Sequence, residues 1–155
     1  MTRNRLLIPL VLALGIAAVG CAMPRISVYD DPLSAKEHLQ LGMANESKGD
    51  LEAAASEYRQ AMHREPLARL YLGNVYYGQG RLQDAEGEYR AALERLPENP
   101  EIMNNLAWVL LRRGVKLEEA QDLAERAVSR APNAQAATAY QDTLSAIRAA
   151  RAVPK

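Results

Sequence analysis

The stretch RLYLGNVYYGQGRLQDAEGEYRAALERLP, residues 69–97, has the pattern of two short helices joined by a glycine turn. Two other segments align with it: HLQLGMANESKGDLEAAASEYRQAMHREP at residues 38–66, and MNNLAWVLLRRGVKLEEAQDLAERAVSRAP at residues 103–132. The positions that correspond are Gly42, Gly73 and Ala107; Gly49, Gly80 and Gly114; Ala54, Ala85 and Ala120; Ala61, Ala92 and Ala127; Pro66, Pro97 and Pro132. Self-similarity at a period of roughly 20–50 residues is typical of stacked repeat proteins.

Each recurring residue type has a structural role in a helix–turn–helix unit. Glycine adopts positive φ at little cost, so Gly49, Gly80 and Gly114 are predicted to end the first helix of each unit. The recurring alanines allow two helices to approach closely. Tyr58 and Tyr89 follow the first recurring alanine by four residues, which predicts that they share its helix face. The recurring prolines end each second helix, because proline cannot extend it.

The three segments resemble the tetratricopeptide repeat, a helix–turn–helix unit of about 34 residues. Residues 69–97 are especially close to the consensus of that family. The resemblance implies an all-α, right-handed superhelix of three helix–turn–helix repeats at about residues 34–66, 67–99 and 100–132, followed by a capping helix.

The chain after the third repeat is predicted to form that capping helix, at residues 135–150. An apolar face recurs there at helical spacing, and its members are Ala136, Tyr140, Leu144 and Ile147. A helix with one polar face keeps the last apolar surface of a repeat stack away from water. Asn133 is predicted to be its exposed N-cap, and residues 151–155 form a tail.

The spacing of the repeats is uneven. Gly42 and Gly73 lie 31 residues apart, whereas Gly73 and Ala107 lie 34 apart. The shorter spacing predicts that the first helix of the second repeat lacks nearly one turn. A leucine precedes each of these small residues and is predicted to fill the core: Leu41, Leu72 and Leu106.

The N-terminal region is predicted to be an export signal at residues 1–20. Leu6 to Gly20 contains fifteen residues without a charge, and Arg3 and Arg5 precede it. A membrane-spanning helix needs roughly 18–20 apolar residues, and Pro9 interrupts this run. A basic start, a short apolar stretch and small residues at its end are typical of a secretory signal peptide. The alternative, a buried first helix of the domain, would have no polar face for water.

Cys21, the single cysteine of the chain, directly follows that signal. The segment AVGC, residues 18–21, resembles the lipobox of bacterial lipoproteins, which implies that Cys21 is lipidated and becomes the mature N-terminus. Ala18 departs from that pattern, where leucine is commoner, and ordinary cleavage after Ala22 is the rival interpretation. Residues 21–33 are predicted to tether the domain of residues 34–150, and a short partner-binding or sheet-edge segment is the alternative. Acyl chains would hold the domain on a membrane.

Composition excludes several classes of function. The chain has 19 basic and 19 acidic residues, so no basic excess favours nucleic acid. Neither histidine, His38 nor His63, has the spacing of a metal ligand, and the sequence has no nucleophile or phosphate-binding motif. We therefore expect no enzymatic activity, no cofactor, no metal and no small-molecule substrate.

The resemblance implies that a protein partner, as a peptide segment or helix, binds a concave groove made by the first helices. The positions that line the groove in this family are Lys36, Leu39, Met43, Glu46 and Ser47 in the first repeat, Leu67, Leu70, Asn74, Tyr77 and Gly78 in the second, and Glu101, Asn104, Trp108, Leu111 and Arg112 in the third. We predict that partner contacts come from Asn74, Tyr77, Asn104, Trp108 and Arg112, with Met43 and Leu70. Trp108 has the alternative of packing on the capping helix as part of the core.

The resemblance also limits the function. Some members of the family clamp a C-terminal carboxylate, and Asn74 and Asn105 match the asparagines they use. Leu70 stands where such a clamp needs lysine, which argues against chaperone-tail binding. The mature chain resembles small tetratricopeptide lipoproteins of type IV pilus or secretin assembly, which implies a membrane-anchored adaptor. A regulatory scaffold that recruits peptidoglycan-remodelling enzymes is the alternative. Ala22 is not the aspartate of an inner-membrane retention signal, so we expect an outer-membrane lipoprotein facing the periplasm; the inner membrane and secretion are alternatives.

Overall fold

The computed structural model describes residues 31–152, which form seven α-helices and no strand. The helices are α1 (Ala35–Ser47), α2 (Leu51–Ala61), α3 (Leu67–Gly78), α4 (Leu82–Arg95), α5 (Pro100–Arg113), α6 (Leu117–Ser129) and α7 (Ala134–Ala152). Consecutive helices pack on one another, and α7 packs on both α5 and α6. The prediction of three helix pairs and a capping helix is therefore confirmed.

Side-chain caps fix where several of these helices begin. Ser34 and Glu37 form a reciprocal capping box at the start of α1. Asp50 accepts the amide of Ala53 at the start of α2 (3.1 Å). Asn133, which is exposed, accepts the amide of Ala136 through Oδ1 at 2.8 Å. Its predicted role as the N-cap of α7 is confirmed.

Glycines with positive φ form the turn inside each repeat. The φ angles of Gly49, Gly80 and Gly114 are 80°, 75° and 67°, and each residue follows the first helix of its pair. This left-handed conformation is expensive for residues that carry a Cβ. The prediction that these three glycines end the first helices is confirmed.

The core lies between the helices of each pair and between successive pairs. The recurring alanines are completely buried, and they are Ala54, Ala61, Ala85, Ala92, Ala120 and Ala127. Their small side chains allow the close helix contacts that the repeat pattern predicted. From α7, Tyr140, Leu144 and Ile147 complete this core with exposures of 8% or less, so the predicted apolar face of the cap is confirmed.

A glycine in the first helix of the first two repeats makes room for a tyrosine from the second helix. A Cβ added to Gly42 would lie 2.5 Å from Tyr58 Cε1, and one added to Gly73 would lie 2.5 Å from Tyr89 Cε1. In the third repeat both partners are alanine, Ala107 and Ala124, and both are buried. The larger Ala107 is compatible with this site because no ring is present opposite to it.

The predicted shortening of α3 is largely wrong. The first helices α1, α3 and α5 have 13, 12 and 14 residues, so α3 lacks only one or two. The shortening falls mainly on α2, which has 11 residues against 14 in α4 and 13 in α6. The difference lies at the C-terminal end, since α2 ends at the buried Ala61 whereas α4 continues past the equivalent Ala92 to Arg95.

The prediction for Leu41 is wrong, whereas those for Leu72 and Leu106 are confirmed. Leu72 and Leu106 are each 1% exposed, but Leu41 is 39% exposed. In the second and third repeats the preceding helix, α2 or α4, packs against the first helix. Among residues 31–152 no helix precedes α1, so the corresponding face of α1 has no such cover.

Charged side chains connect the second and third repeats on the surface. Arg90 of α4 binds the carboxylate of Glu119 on α6 through two nitrogens, at 2.6 and 2.9 Å. Its Nε also donates to Glu86 at 2.9 Å, and Arg113 of α5 pairs with that same carboxylate. Bidentate arginine–carboxylate contacts are geometrically specific, so this network fixes the register of neighbouring repeats.

Candidate functional site

A chain of amide and hydroxyl groups crosses from α3 to α5 on the predicted groove face. The Tyr89 hydroxyl donates to Asn74 Oδ1 at 2.8 Å, and Asn105 Nδ2 donates to the same oxygen at 3.1 Å. Asn104 Nδ2 then donates to Asn105 Oδ1 at 3.4 Å. These four residues therefore hold the first helices of the second and third repeats together by side-chain hydrogen bonds.

One turn further along the same two helices, the Tyr77 hydroxyl accepts two donors from α5. Trp108 Nε1 donates to it at 2.6 Å and Arg112 Nη1 donates at 3.0 Å. The Arg112 guanidinium carbon also lies 6.0 Å from the centre of the Tyr77 ring. Tyr77 and Trp108 are partly buried and Arg112 is exposed. The arrangement orients an indole, a phenol and a guanidinium at one partly exposed surface.

These two hydrogen-bonded groups surround a small cavity. Its volume is about 130 Å³, and its walls are Asn74, Tyr77, Tyr89, Asn105 and Trp108. Apolar ring faces and amide groups both line it, which is the chemistry that binds a side chain and a peptide bond together. We name the surface formed by Asn74, Tyr77, Asn104, Asn105, Trp108 and Arg112 the α3–α5 groove.

A second and larger pocket lies on the other side of Trp108. Its volume is about 340 Å³, and it is formed by α5 and by the small side chains of α7, including Ala139 and Ala146. Trp108 therefore borders both pockets, and its ring is partly buried rather than part of the fully buried core. Trp108 is therefore not a fully buried core residue, although it lines this pocket together with residues of α7.

The structure brings five of the predicted groove residues together and separates the other two from them. Asn74, Tyr77, Asn104, Trp108 and Arg112 form the connected α3–α5 groove. Their role in binding a partner stays a prediction. Met43, on α1, is 46% exposed and lies outside this group.

The prediction that Leu70 lines the groove is wrong. Leu70 is 1% exposed and belongs to the continuous core. It precedes Asn74 by one helical turn, where the packed neighbours of α3 cover the side chain. Burial of a leucine side chain stabilises a protein by roughly 1.5–3 kcal/mol, and an aqueous groove would forgo that contribution.

The buried tyrosines act as permanent hydrogen-bond donors. Burial raises the pKa of the Tyr89 hydroxyl, and the charge of Glu101 acts in the same direction. Burial also raises the pKa of Tyr58, whose hydroxyl donates to the Glu46 carboxylate at 2.6 Å. Both hydroxyls therefore keep their protons well above neutral pH, so the geometry of the groove does not depend on their titration.

Sequence reasoning missed Tyr89, which lines the cavity of the α3–α5 groove, and it missed Ala139, Asp142 and Thr143, which line the neighbouring pocket between α5 and α7. The sequence places Tyr89 only on the helix face of Ala85, but its hydroxyl donates to Asn74. Residues 139, 142, 143 and 146 recur at helical spacing on α7 and so share one face. That spacing was the available signal, and it was hidden because alanine and threonine give little contrast in hydrophobicity.

Cys21 and the predicted signal lie outside the described residues, so the lipidation site stays a prediction. None of the seven described helices is sufficiently long and apolar to cross a membrane. Within residues 31–152, histidine, cysteine and carboxylate side chains do not cluster in threes as a metal site would require.

Fold and groove together define an all-helical repeat protein whose first helices present a polar, aromatic surface. The family model described as tetratricopeptide repeat matches residues 39–100 and also residues 70–135. These matches cover more than half of the sequence, and the chain belongs to the tetratricopeptide repeat family. No curated protein sequence matches the chain.

Several solved structures have a similar fold. The first tetratricopeptide domain of Spaghetti (RPAP3), bound to HSP90 peptide SRMEEVD, has a TM-score of 0.69 and 21% identity, and the match covers 81% of this chain and 99% of that one. A type III secretion complex from Aeromonas hydrophila gives 0.70 and 19%, with coverages of 77% and 84%. The type III secretion translocator chaperone SycD from Yersinia enterocolitica gives 0.69 and 20%, with coverages of 78% and 90%. At these identities the similarity establishes the fold alone.

Proposed function

We propose that the protein is a lipid-anchored adaptor of the cell envelope that binds a segment of a partner protein in the α3–α5 groove. The partner belongs to an envelope assembly apparatus, of which type IV pilus or secretin biogenesis is the example we favour. The anchor is Cys21, and the domain faces the periplasm from the outer membrane. The groove residues act by binding and orienting the partner, and no chemical step is involved.

The observation that carries this proposal is the contact of Trp108 and Arg112 with the Tyr77 hydroxyl, at 2.6 and 3.0 Å. Tryptophan, tyrosine and arginine are the residues that most often dominate the binding energy of protein interfaces. Here all three are oriented before any partner arrives, which lowers the entropic cost of binding. Because the rings are only partly buried, apolar area remains for a partner to cover.

The family fold supports a protein ligand. A structure of this fold is bound to an HSP90 peptide, and others come from type III secretion. The present chain differs in one respect that bears on its ligand, since Leu70 is buried where a carboxylate clamp would present a lysine. We therefore propose binding of an internal segment of the partner rather than a C-terminal carboxylate.

Affinity capture from detergent-solubilised membranes tests the groove. Trp108→Ala should reduce the affinity for the captured partner by roughly thirtyfold, since truncation of a central anchor costs about 2 kcal/mol. Arg112→Ala should weaken binding less, and helicity and thermal unfolding should be checked for each variant.

A matched control for Arg112→Ala is available in Arg81→Ala. Both guanidinium groups lie over a tyrosine ring, Arg81 at 4.2 Å from the centre of Tyr76 and Arg112 at 6.0 Å from that of Tyr77. Arg81 lies at the α3–α4 turn, outside the groove. Equal loss of binding in the two arginine variants, or full binding by stable Trp108→Ala and Tyr77→Ala variants, would refute the groove.

The anchor is tested separately with Cys21→Ser. The lipidated protein should fractionate with the outer membrane, and the variant should leave that fraction, either as a cleaved soluble form without acyl chains or as an unprocessed form that keeps its signal. If the variant stays in the membrane and is processed normally, lipidation at Cys21 is wrong, while groove binding is unaffected.

A further inference from the structure

The pocket between α5 and α7 has hydrogen-bond acceptors that nothing in the described chain uses. Asn104 Oδ1 is buried and has no hydrogen-bond partner. The Asp142 carboxylate is exposed and forms neither an ion pair nor a hydrogen bond within residues 31–152. Both residues line the same pocket of about 340 Å³. A buried polar atom without a partner is costly, so a ligand that supplies a donor gains free energy here.

Each donor group of this pocket, in contrast, already makes a hydrogen bond within the protein, and Asn104 Nδ2 makes its own to Asn105 at 3.4 Å. Trp108 Nε1 donates to Tyr77 at 2.6 Å, and Asn105 Nδ2 donates to Asn74 at 3.1 Å. The Thr143 hydroxyl donates to the carbonyl oxygen of Ala139 at 3.3 Å. Each asparagine amide keeps one further N–H, but Asn104 Oδ1 and the two Asp142 oxygens are acceptors without any partner among the described residues, which favours a ligand group that donates hydrogen bonds.

The charges around the pocket select a cation. Glu101 precedes Asn104 and Asn105 by one turn on α5, is exposed, and forms no ion pair within the described residues. On α7, Arg148 and Arg151 turn away from the pocket and pair with Glu125 and Glu118 of α6. Arg112 is held toward α3 by Tyr77. Asp142 is therefore an unneutralised charge that lines the pocket, and Glu101 is a second one on the preceding turn of α5.

The shape of the pocket suits a long side chain with a charged end. Ala139 and Ala146 leave space along α7, and the Trp108 ring forms the opposite wall. A guanidinium or ammonium group over the face of an indole is attracted by the ring quadrupole. The apolar stem of lysine or arginine can lie along the alanines while the head reaches the acceptors.

We propose that the α5–α7 pocket receives a lysine or arginine side chain of the bound partner segment, held by the Asp142 carboxylate, the Asn104 side-chain carbonyl and the Trp108 ring. The inference rests on the proposed function, because it supplies a specificity pocket for the segment in the adjacent α3–α5 groove. Rotation about χ2 of Asn104, a torsion with a broad energy minimum, brings Oδ1 to the ligand in exchange for the 3.4 Å hydrogen bond to Asn105. A partner segment with a basic residue at this position is therefore preferred to one with an acidic residue.

A small-molecule probe tests the pocket without the partner. N-acetyl-arginine methylamide and its citrulline analogue have nearly the same shape but differ in charge. Trp108 is the single tryptophan of the chain, so its fluorescence reports on the pocket directly, and NMR shifts of the Asn104 and Thr143 amides localise the binding.

We expect saturable binding of the arginine probe with a Kd in the millimolar range, which is a binding free energy of about −4 kcal/mol. The affinity of the citrulline analogue should be at least tenfold lower, and the affinity of the arginine probe should fall at high ionic strength. Asp142→Asn should reduce the affinity for the arginine probe at least threefold. Asp122→Asn is the matched control, because Asp122 is an exposed aspartate on α6 whose ion pair is with Arg126, and it should change nothing.

Two results would overturn the proposal. One is equal affinity for the two probes, and the other is the absence of a saturable response at an arginine-probe concentration roughly a hundredfold above a millimolar Kd. Each is distinct from failure of the proposed function. If the arginine probe fails while Trp108→Ala and Tyr77→Ala still lose the captured partner, the groove stands and the basic-residue pocket falls. If the arginine probe binds while the Trp108→Ala and Tyr77→Ala variants capture the partner as well as the wild type does, the pocket stands and the proposed docking falls.

Discussion

Gly73 and Tyr89 fit together so closely that a methyl group on Gly73 would lie 2.5 Å from Tyr89 Cε1. The missing side chain allows the tyrosine ring of α4 to lie against the backbone of α3. Its hydroxyl then reaches Asn74 Oδ1, at 2.8 Å, on the residue directly after the glycine. A packing feature of the core thus positions an amide of the α3–α5 groove.

Gly73→Ala should destabilise the domain, because overpacking typically costs about 1–3 kcal/mol, more than the helix propensity gained by replacing glycine. In a Tyr89→Ala background the same change should become stabilising by about 0.5–1 kcal/mol, since the clash is gone. Denaturant unfolding of the four proteins measures this coupling. Gly87→Ala is the control, because nothing lies within 4 Å of its added Cβ. Additive effects of the two changes would mean that the ring does not occupy the space above Gly73.

Ala85→Leu should lower the midpoint of thermal unfolding by several degrees. Ala85 is completely buried where helices meet, and three additional heavy atoms there would cost about 1–3 kcal/mol. A stack of three repeats is near the lower limit of stability, so this loss should be easy to measure calorimetrically. Ala91→Leu, at a partly exposed position of the same helix, serves as the control and should change the midpoint much less. An unchanged midpoint for Ala85→Leu would contradict the close packing.

Tyr77→Phe should move Trp108 to a more polar environment without unfolding the domain. The change removes the oxygen that accepts Trp108 Nε1 and Arg112 Nη1. We expect a stability loss of about 1 kcal/mol and a shift of the tryptophan emission to longer wavelength. Tyr71→Phe is the matched control, because the Tyr71 hydroxyl makes no side-chain hydrogen bond within residues 31–152 while its ring stacks on Tyr58. Identical emission from wild type and Tyr77→Phe would show that the indole does not depend on the phenol.

Glu119→Gln should reduce stability at neutral pH but not in acid. The hydrogen bonds from Arg90 hold the pKa of Glu119 below its usual value, so its contribution is present above the unfolded-state pKa of about 4.3. The contribution is lost as the pH falls through the lowered folded-state pKa. We expect a difference of about 0.5 kcal/mol at pH 7 that disappears at low pH.

The control for this pH dependence is Asp122→Asn, which removes a more exposed carboxylate within α6 rather than one that joins two repeats. Chemical denaturation at a series of pH values measures both variants. A stability difference for Glu119→Gln that persists unchanged in acid would show that the inter-repeat pair with Arg90 contributes nothing.

The sequence alone determined the repeat architecture, because each helix pair is specified locally. Gly49, Gly80 and Gly114 stand where helical periodicity breaks and can adopt the positive φ of a turn, and the recurring alanines allow close helix contacts. The capping helix was equally predictable from the sequence, since Asn133 and the apolar face of α7 lie within one short segment. Such features depend on neighbours a few residues away, and so the order of residues is sufficient to find them.

Only the tertiary structure decided which side chains are exposed and which polar groups meet. Leu70, which was predicted to line the groove, is buried, and Leu41, which was predicted to fill the core, is exposed. Burial depends on which helix packs over a residue and not only on its position within its own helix. The contacts of Tyr77 with Trp108 and Arg112 span 31 and 35 residues, and Asp142 and Trp108 line one pocket made by two helices. The superhelical stacking of the repeats brings these groups together, and no local sequence pattern specifies contacts between residues so far apart in the chain.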